Sequence, residues 1–222
     1  MTAIGESAVG GDETRAARIW AVCGLGNPGP EYELTRHNIG FMVARRLAAE
    51  IGVRLTRKEC QSHSTHLVRG WGREVIVFTP MTFMNLSGES VGAMSRKYRF
   101  DPAELIVVHD DADLPFGQLR VRARGGSAGH RGILSIMDNL GTEEFRRLRL
   151  GVANPNRDSN LRDFVLDEFE ADEVSELERF QSAALEALRV VITEGLTTAM
   201  NRFNRRAPKP LLPSDEPPAT SE

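Results

Sequence analysis

The stretch Gly24-Leu-Gly-Asn-Pro-Gly-Pro-Glu-Tyr-Glu-Leu-Thr-Arg-His37-Asn38-Ile-Gly40 begins at the end of the apolar run Ile19–Leu25 and predicts the fold class. The apolar run predicts a buried strand, and the glycines and prolines after it predict a turn. A polar loop then delivers His37 just before a helix, for which Asn38 is a good N-cap. In an α/β protein, this order places a histidine at the carboxyl edge of the sheet. His37 is therefore our candidate base, and a solvated loop histidine is the alternative.

The same stretch fits the spacing Gly-x-Gly-x-x-Gly of a dinucleotide-binding loop, at Gly24, Gly26 and Gly29. That fingerprint needs a helix that opens inside the motif with its N-terminus on the pyrophosphate. Two prolines interrupt such a helix here. The acidic residue near the expected distance, Glu50, falls inside the predicted helix instead of at a strand end. The stretch therefore does not predict a nucleotide site.

Strand-like and helix-like patterns alternate along the chain. The predicted strands are Ile19–Leu25, Glu74–Thr79, Leu105–Val108, Gln118–Arg124 and Arg147–Val152. The predicted helices are Asn38–Ile51, Leu86–Tyr98, His130–Leu140, Ala171–Gly195 and Leu196–Phe203. The alternation predicts one α/β domain with a mixed, mostly parallel twisted sheet and helices on both faces. The period-two pattern of Gln118–Arg124 predicts a half-exposed strand at a sheet edge.

Composition sets the class of protein. The chain has 222 residues, 41% of them apolar, which is enough for one domain with a substantial core. No apolar stretch reaches the roughly 20 residues of a membrane span, and the start lacks a signal-peptide pattern. Two cysteines, Cys23 and Cys60, predict reduced thiols in a cytoplasmic protein. We expect a disordered N-terminal extension over 1–17, the folded domain over 18–204 and a disordered Pro-rich tail over 205–222.

The distribution of charge is more informative than the net charge of −3. Between Leu114 and Leu150, seven arginines stand against three acidic residues. This concentration predicts a basic face, with an ordinary solvated surface as the alternative. The planar fork of arginine matches phosphate oxygens, so the basic stretch leans towards phosphate recognition.

Acidic residues cluster after the strand that ends near Val108, in His109-Asp110-Asp111-Ala-Asp113. One interpretation is a metal site in which His109, Asp110 and Asp113 supply ligands. The other is a single aspartate that orients a distant histidine. No second cluster of this kind occurs in the sequence, so the metal site is the weaker interpretation.

Two further segments offer polar groups. Thr79–Gly88 follows a strand and opens a helix, and its Asn85 and Ser87 could be either substrate ligands or helix caps. Gly125–Gly132 is a glycine-rich loop whose backbone N–H groups could hold an anion, although it lacks the ending of a P-loop. Separately, Asp163–Phe169 is an apolar patch among acids that either packs on the domain or forms a flap. A histidine base, an aspartate, amides and an anion loop suit activated water attacking an acyl centre.

These motifs, taken together, resemble the bacterial peptidyl-tRNA hydrolase family over about residues 18–204. The matching stretches are Gly24–Gly29, Thr35–Asn38, Thr82–Gly88, His109-Asp110 through Pro115, Gly125-Gly126, Gly129-His130, Arg147–Gly151, Phe164–Leu166 and Gly195-Leu196. The resemblance implies a hydrolase that cleaves the ester between a peptide and the 3′ ribose of tRNA. It releases peptide and free tRNA and so recycles peptidyl-tRNAs dropped from ribosomes.

The resemblance also assigns roles to residues. It places the catalytic base on His37 and the aspartate that orients it on Asp110. It places tRNA phosphate contacts near Arg122 and Arg149. Peptide- and water-binding roles fall on Asn27, Tyr32, Met84 and Asn85.

One residue departs from the family pattern. Many members have Gly-His-Asn-Gly where this chain has Gly-His130-Arg131-Gly. An arginine cannot accept a hydrogen bond as an amide oxygen can. Either Arg131 binds a phosphate or carbonyl instead, or the role has moved to another amide, so we expect Arg131 to bind substrate and not to catalyse.

We further expect a monomer that acts on peptidyl-tRNA in the cytoplasm, with no membrane association, no cofactor and no metal. The alternatives are a non-catalytic RNA-binding member of the same fold and a metal-dependent phosphoesterase. Retention of His37 and Asp110 favours hydrolysis over the first of these.

Overall fold

A computed structural model of the chain describes residues 18–154 and 160–204. The two predicted disordered tails, 1–17 and 205–222, lie outside the described residues. Within the described ranges, no helix is both long enough and apolar enough to cross a bilayer.

Eight strands and six α-helices make up the described domain. The strands are β1 Ile19–Gly24, β2 Arg57–Glu59, β3 Ser62–Ser64, β4 Val68–Gly70, β5 Arg73–Pro80, β6 Leu105–Pro115, β7 Leu119–Arg122 and β8 Arg146–Ala153. The helices are α1 Ile39–Glu50, α2 Ser87–Tyr98, α3 Arg131–Leu140, α4 Leu161–Leu166, α5 Ala171–Thr193 and α6 Leu196–Phe203.

The strands form one mixed sheet in the order β2-β3-β5-β1-β6-β8-β7, with β4 paired to β5. The central strands β5, β1, β6 and β8 are parallel, whereas β2, β3, β4 and β7 pair with antiparallel neighbours. The predicted edge strand is confirmed, because β7 ends the sheet and buries Leu119 and Val121 while its arginines are half-exposed.

Helices cover both faces of the sheet, each over its own apolar cluster. On one face, residues such as Val22 pack against α1, α5 and α6. On the other face, residues such as Cys23 pack against α2 and α3. This confirms the predicted α/β class. Burial raises the pKa of the Cys23 thiol well above its ordinary value, which keeps this cysteine protonated and unreactive.

Four short elements were not predicted: β2, β3, β4 and α4. Their segments lack an apolar periodicity. The strands β3 and β4 find their backbone partners on β5, and β2 pairs with β3. The strand β6 is also longer than predicted, because β8 continues to pair with it through Asp111 opposite Gly151 and, after an irregularity, at Pro115 opposite Ala153. His109 and Asp110 therefore lie inside the strand and not after it.

Close backbone contacts bring α1 onto the sheet. A Cβ on Gly40 would lie 2.4 Å from the Val108 carbonyl oxygen, and one on Gly24 would lie 2.2 Å from the Gly40 carbonyl oxygen. Glycine at both positions lets the start of α1 rest directly on β1 and β6. The loop before α1 is thereby held against the carboxyl half of β6.

Candidate active site

The two predicted catalytic residues meet at this place. His37 lies in a 3₁₀ turn, Arg36–Asn38, directly before α1, and Asp110 lies on β6. His37 Nδ1 and Asp110 Oδ1 are 2.8 Å apart, and the carboxyl side chain is almost fully buried. The structure thus brings together a histidine and an aspartate that are 73 residues apart in the chain.

Electrostatics defines the protonation states of this pair. Although burial disfavours the charged carboxylate, the charges of His37 and His130 and their hydrogen bonds hold the pKa of Asp110 well below its usual range. Asp110 is therefore an acceptor, and neutral His37 carries its proton on Nδ1. Its Nε2 keeps a lone pair and makes no hydrogen bond within the described part of the chain.

The pKa of His37 follows from two opposing effects. Burial of the ring disfavours the imidazolium, but the charge of Asp110 and its hydrogen bond outweigh burial and raise the pKa above 6.5. A raised pKa makes His37 a stronger base than an ordinary histidine.

A second histidine, His130, shares the same carboxylate oxygen. Its Nε2 lies 3.0 Å from Asp110 Oδ1, and its Nδ1 accepts from the backbone N–H groups of Gly132 and Ile133 at 3.2 and 3.3 Å. His130 is thus the side-chain N-cap of α3. Because Nδ1 is an acceptor, the ring proton lies on Nε2 and donates to Asp110. No role for His130 was predicted from the sequence, although its position at the predicted start of a helix was a signal for it.

This cap limits the anion-binding expectation for the glycine-rich loop at its end. Two of the N–H groups at the start of α3 already bond to His130 Nδ1, so they are not free to hold an anion. Other predicted caps also differ. Asn38 stands at the N-cap position of α1 without capping it, and neither Asn85 nor Ser87 caps α2.

The third histidine, His109, contacts both Asp110 and His130. Its Nδ1 lies 2.7 Å from the Asp110 carbonyl oxygen, to which it donates, and its ring meets the edge of His130 at 4.7 Å between centroids. Burial above all, and then the charge of His130, lowers the pKa of His109 well below 6.5, so it stays neutral.

His37, Asp110 and His130 also have the spacing of a metal site, since their ligand atoms lie within 4.8 Å of one another. This set differs from the expected one, in which His109 and Asp113 were ligands. A metal at His130 Nε2 would need a lone pair on that atom, but the two backbone donors on Nδ1 place the proton there. The hydrogen bonds therefore favour a histidine–aspartate pair.

Asn27 organises the predicted peptide-binding residues. Its Oδ1 accepts from the Met84 N–H at 2.9 Å, and Asn38 brackets its backbone with two hydrogen bonds of 2.7 and 3.0 Å. This network explains why Asn38 is not available as a cap. The Nδ2 of Asn27 remains a donor without a partner in the described ranges. Tyr32 is half-buried in the preceding 3₁₀ turn, and Asn85 is exposed beside the buried Met84.

Five arginines line a cavity of about 610 Å³ that reaches His37 and Asp110. They are Arg122, Arg124, Arg131, Arg147 and Arg149. Arg149 is paired with Asp111 at 2.6 Å, and the exposed Arg124 is paired with Glu144. Arg122 and Arg131 have no ion pair within residues 18–154 and 160–204. The predicted basic surface is therefore concentrated here, although Arg146 lies elsewhere, stacked on Trp20 at the amino end of the sheet.

Arg147 is a cavity residue that the sequence analysis did not single out. It is only 4% exposed, stacks on Phe145, and donates to the Gly126 carbonyl at 2.6 Å. Its Nε and Nη2 are buried without a hydrogen-bond partner among the described residues. Burial lowers its pKa, yet a guanidinium stays protonated in proteins. Arg147 stands two residues before Arg149 on one strand, so the period of a strand was a signal for it.

The predicted binding residues therefore do not all line one cavity. Arg122, Arg131 and Arg149 line the large cavity, whereas Asn27, Tyr32 and Met84 do not. Asn85 lines a second cavity of about 430 Å³ between α2 and α3, and Arg131 borders both cavities.

An α/β fold with a histidine–aspartate pair at the carboxyl edge of its sheet fits the class of hydrolytic enzymes that use a general base. A sequence model of the peptidyl-tRNA hydrolase family matches residues 21–210. Proteins named peptidyl-tRNA hydrolase from Chloroflexus aggregans and Roseiflexus castenholzii are 43% and 44% identical to the chain. The first match covers 84% of this chain and 99% of the relative, and the second covers 86% and 90%.

Solved structures agree with these matches. A crystal structure of peptidyl-tRNA hydrolase from Acinetobacter baumannii gives a TM-score of 0.78 at 32% identity, over 86% of this chain and 97% of that one. A complex of peptidyl-tRNA hydrolase with N-propanol gives a TM-score of 0.79. The chain belongs to the peptidyl-tRNA hydrolase family, and the predicted family, fold class and ester-hydrolase activity are confirmed.

Proposed function

We propose that His37 activates the water that cleaves the ester of peptidyl-tRNA, the reaction for which the family is named. The observation that carries this proposal is the bond of Asp110 to His37 Nδ1, which leaves the basic Nε2 free. Nε2 takes a proton as the water oxygen attacks the ester carbonyl carbon. The bond from that carbon to the ribose 3′ oxygen then breaks, and the imidazolium returns its proton to the departing oxygen.

Asp110 stabilises the imidazolium while it exists, as the carboxylate does in a Ser-His-Asp triad. His130 keeps the same carboxylate oxygen in place from the other side. Amide donors then stabilise the negative charge on the carbonyl oxygen, and we assign this role to Asn27 Nδ2, which has no hydrogen-bond partner among the described residues. In this proposal Tyr32, Met84 and Asn85 hold the peptide and the water.

The arginine-lined cavity receives the tRNA side of the substrate. Arg122 and Arg149 hold phosphates, as the resemblance implies, and the exposed Arg131 binds beside them. Arg147 adds a buried guanidinium whose Nε and Nη2 lack partners among the described residues, and a buried charge without a counterion is costly. A phosphate oxygen would supply that counterion.

The chemistry that we propose uses no metal. Oδ1 of Asp110 already accepts hydrogen bonds from both His37 and His130, so the hydrogen bonds of this site are complete on that oxygen without a cation. We also propose that the protein acts in the cytoplasm and is a monomer. Size-exclusion chromatography with light scattering would test the oligomeric state.

The test of the catalytic proposal is single-turnover cleavage of a peptidyl-tRNA by His37→Ala. We expect turnover to fall roughly 10²- to 10⁴-fold, the usual contribution of general base catalysis, with little change in substrate binding. His66→Ala is the matched control, because His66 is an exposed histidine away from the cavity. Near-normal turnover of His37→Ala would refute the mechanism.

A further inference from the structure

Arg36, the residue directly before His37, is a buried charge whose contacts are unusual for a loop residue. Only 1% of its surface is exposed. Its Nη1 donates to the Glu168 carbonyl oxygen and its Nη2 to Glu173 Oε2, each at 2.5 Å. Its guanidinium also lies over the Phe164 ring, 4.5 Å from the centroid.

All of these partners belong to one segment, Phe164–Glu173, which runs from α4 into the first turn of α5. Backbone contacts tie the same two regions together. The Arg36 N–H donates to the Asp167 carbonyl oxygen at 3.0 Å, and Thr35 forms an isolated β-bridge with Glu168. The apolar patch of this segment is therefore packed on the domain, which is the first of the two alternatives that the sequence left open.

The Phe164–Glu173 segment also reaches the active site. Val165, next to Phe164, lines the cavity that contains His37 and Asp110. The Arg36 side chain thus connects the Phe164–Glu173 segment, which forms part of the cavity wall, to the turn that carries His37.

We propose that Arg36 is a positioning residue, which holds the His37 turn against the Phe164–Glu173 segment so that Nδ1 stays on Asp110. The role for His37 on which this inference rests is the one proposed above. A buried ion pair adds little net stability compared with apolar residues of similar volume, but it does define a geometry. Glu173 fits this purpose, since it is 5% exposed and its Oε2 also accepts from the Glu170 N–H at 2.9 Å.

The main test replaces the pair as a unit, with Arg36→Met and Glu173→Met together, so that no unpaired charge stays buried. We expect the double variant to fold, with KM for peptidyl-tRNA within about twofold of the parent protein. We expect kcat to fall roughly 10- to 100-fold, because a displacement of about 1 Å can cost that much in catalysis. The double change Arg18→Met and Glu104→Met is the control, since this ion pair lies at the amino end of the sheet.

A second readout does not depend on activity. An NMR titration of the His37 ring should show a lower pKa in the Arg36/Glu173 variant, because the ring has lost its alignment with Asp110 but remains buried. The other groups that face His37, His130 at 5.1 Å between centroids and Asp110 itself, are unchanged in the experiment. The control pair should leave the pKa of His37 at its parent value.

Unchanged kcat and an unchanged His37 titration in the folded double variant would overturn the inference and leave Arg36 a purely structural residue. If the double variant does not fold, Phe164→Leu removes only the ring under the guanidinium and gives the same two readouts. If instead His37→Ala keeps its turnover while the titration still shifts, the positioning role stands and the proposed catalytic role fails.

Discussion

The change Asp110→Asn tests the site most closely, because it removes one charge and keeps nearly the same shape. In many enzymes an amide in place of such a carboxylate can turn its NH₂ towards the histidine and force the wrong tautomer. Here His130 prevents that orientation. Its Nε2–H already points at the Asp110 oxygen, since its Nδ1 accepts two backbone donors, so an NH₂ at that position would meet another donor. The new amide should therefore present its oxygen to both rings.

The size of the effect follows from what the amide oxygen cannot supply. A full charge pair at the observed 2.8 Å is worth about 6 kcal/mol at an effective dielectric constant of about 20. A neutral hydrogen bond retains about 1 kcal/mol of this, and the amide dipole retains part of the rest. We expect a loss of about 3–4 kcal/mol, which corresponds to roughly 10²- to 10³-fold in kcat/KM.

The direction in which the pH profile of kcat/KM shifts distinguishes the loss of this charge from a general loss of structure. Asp110 raises the pKa of His37 against burial, which lowers it. Without the charge, burial dominates and the pKa falls below its parent value. Because the base must be neutral, the acid limb of kcat/KM should move to lower pH although the plateau is lower.

Steady-state cleavage of peptidyl-tRNA between about pH 5 and 9 would measure both effects. Asp113→Asn is the control, since it removes the same charge from an exposed position on the same strand. An exposed charge is screened, so that variant should leave the acid limb in place. An acid limb that stays in place or moves to higher pH in Asp110→Asn would show that Asp110 does not set the basicity of His37.

Two further predictions follow from the same site. Extensive treatment with EDTA should leave cleavage unchanged; loss of activity that zinc or manganese restores would instead assign His37, Asp110 and His130 to a metal site. Replacing Arg122, Arg147 or Arg149 by glutamine should weaken binding of an uncleavable peptidyl-tRNA with little change in saturated turnover, because phosphate contacts position a nucleic acid without joining the chemistry. Each lost contact should flatten the log–log salt dependence by roughly 0.7–0.9, and a short peptidyl ester without tRNA should be indifferent. Salt slopes equal to that of the parent protein would mean that the tRNA lies elsewhere, whereas an exposed control such as Arg179→Gln on α5 should leave the slope unchanged.

The sequence was sufficient for the fold class, which depends on local patterns, whereas the pairing of His37 with Asp110 was implied by the family resemblance, since the residues alone left a metal site open. An apolar strand followed by polar residues identifies a carboxyl edge, and parallel strands bring such edges together. His130 and Arg36 could not be assigned in the same way. Each acts through partners that only the tertiary path defines: the oxygen of Asp110 for His130, and the Phe164–Glu173 segment for Arg36.

The three histidines around Asp110 show why their environment, more than their number, determines which one can be the base. The partly buried His37 and the buried His109 both contact Asp110, yet their pKa values move in opposite directions. His37 bonds to the charged carboxylate, which raises its pKa. For His109, which bonds to the backbone carbonyl, burial above all and then the charge of His130 lower the pKa. A neutral His109 cannot accept a proton near pH 7, and the Nδ1 of His130 is occupied by two backbone donors. Since divergent pKa values identify the acid–base roles in a site, His37 is the ring that combines a raised pKa with an unoccupied nitrogen.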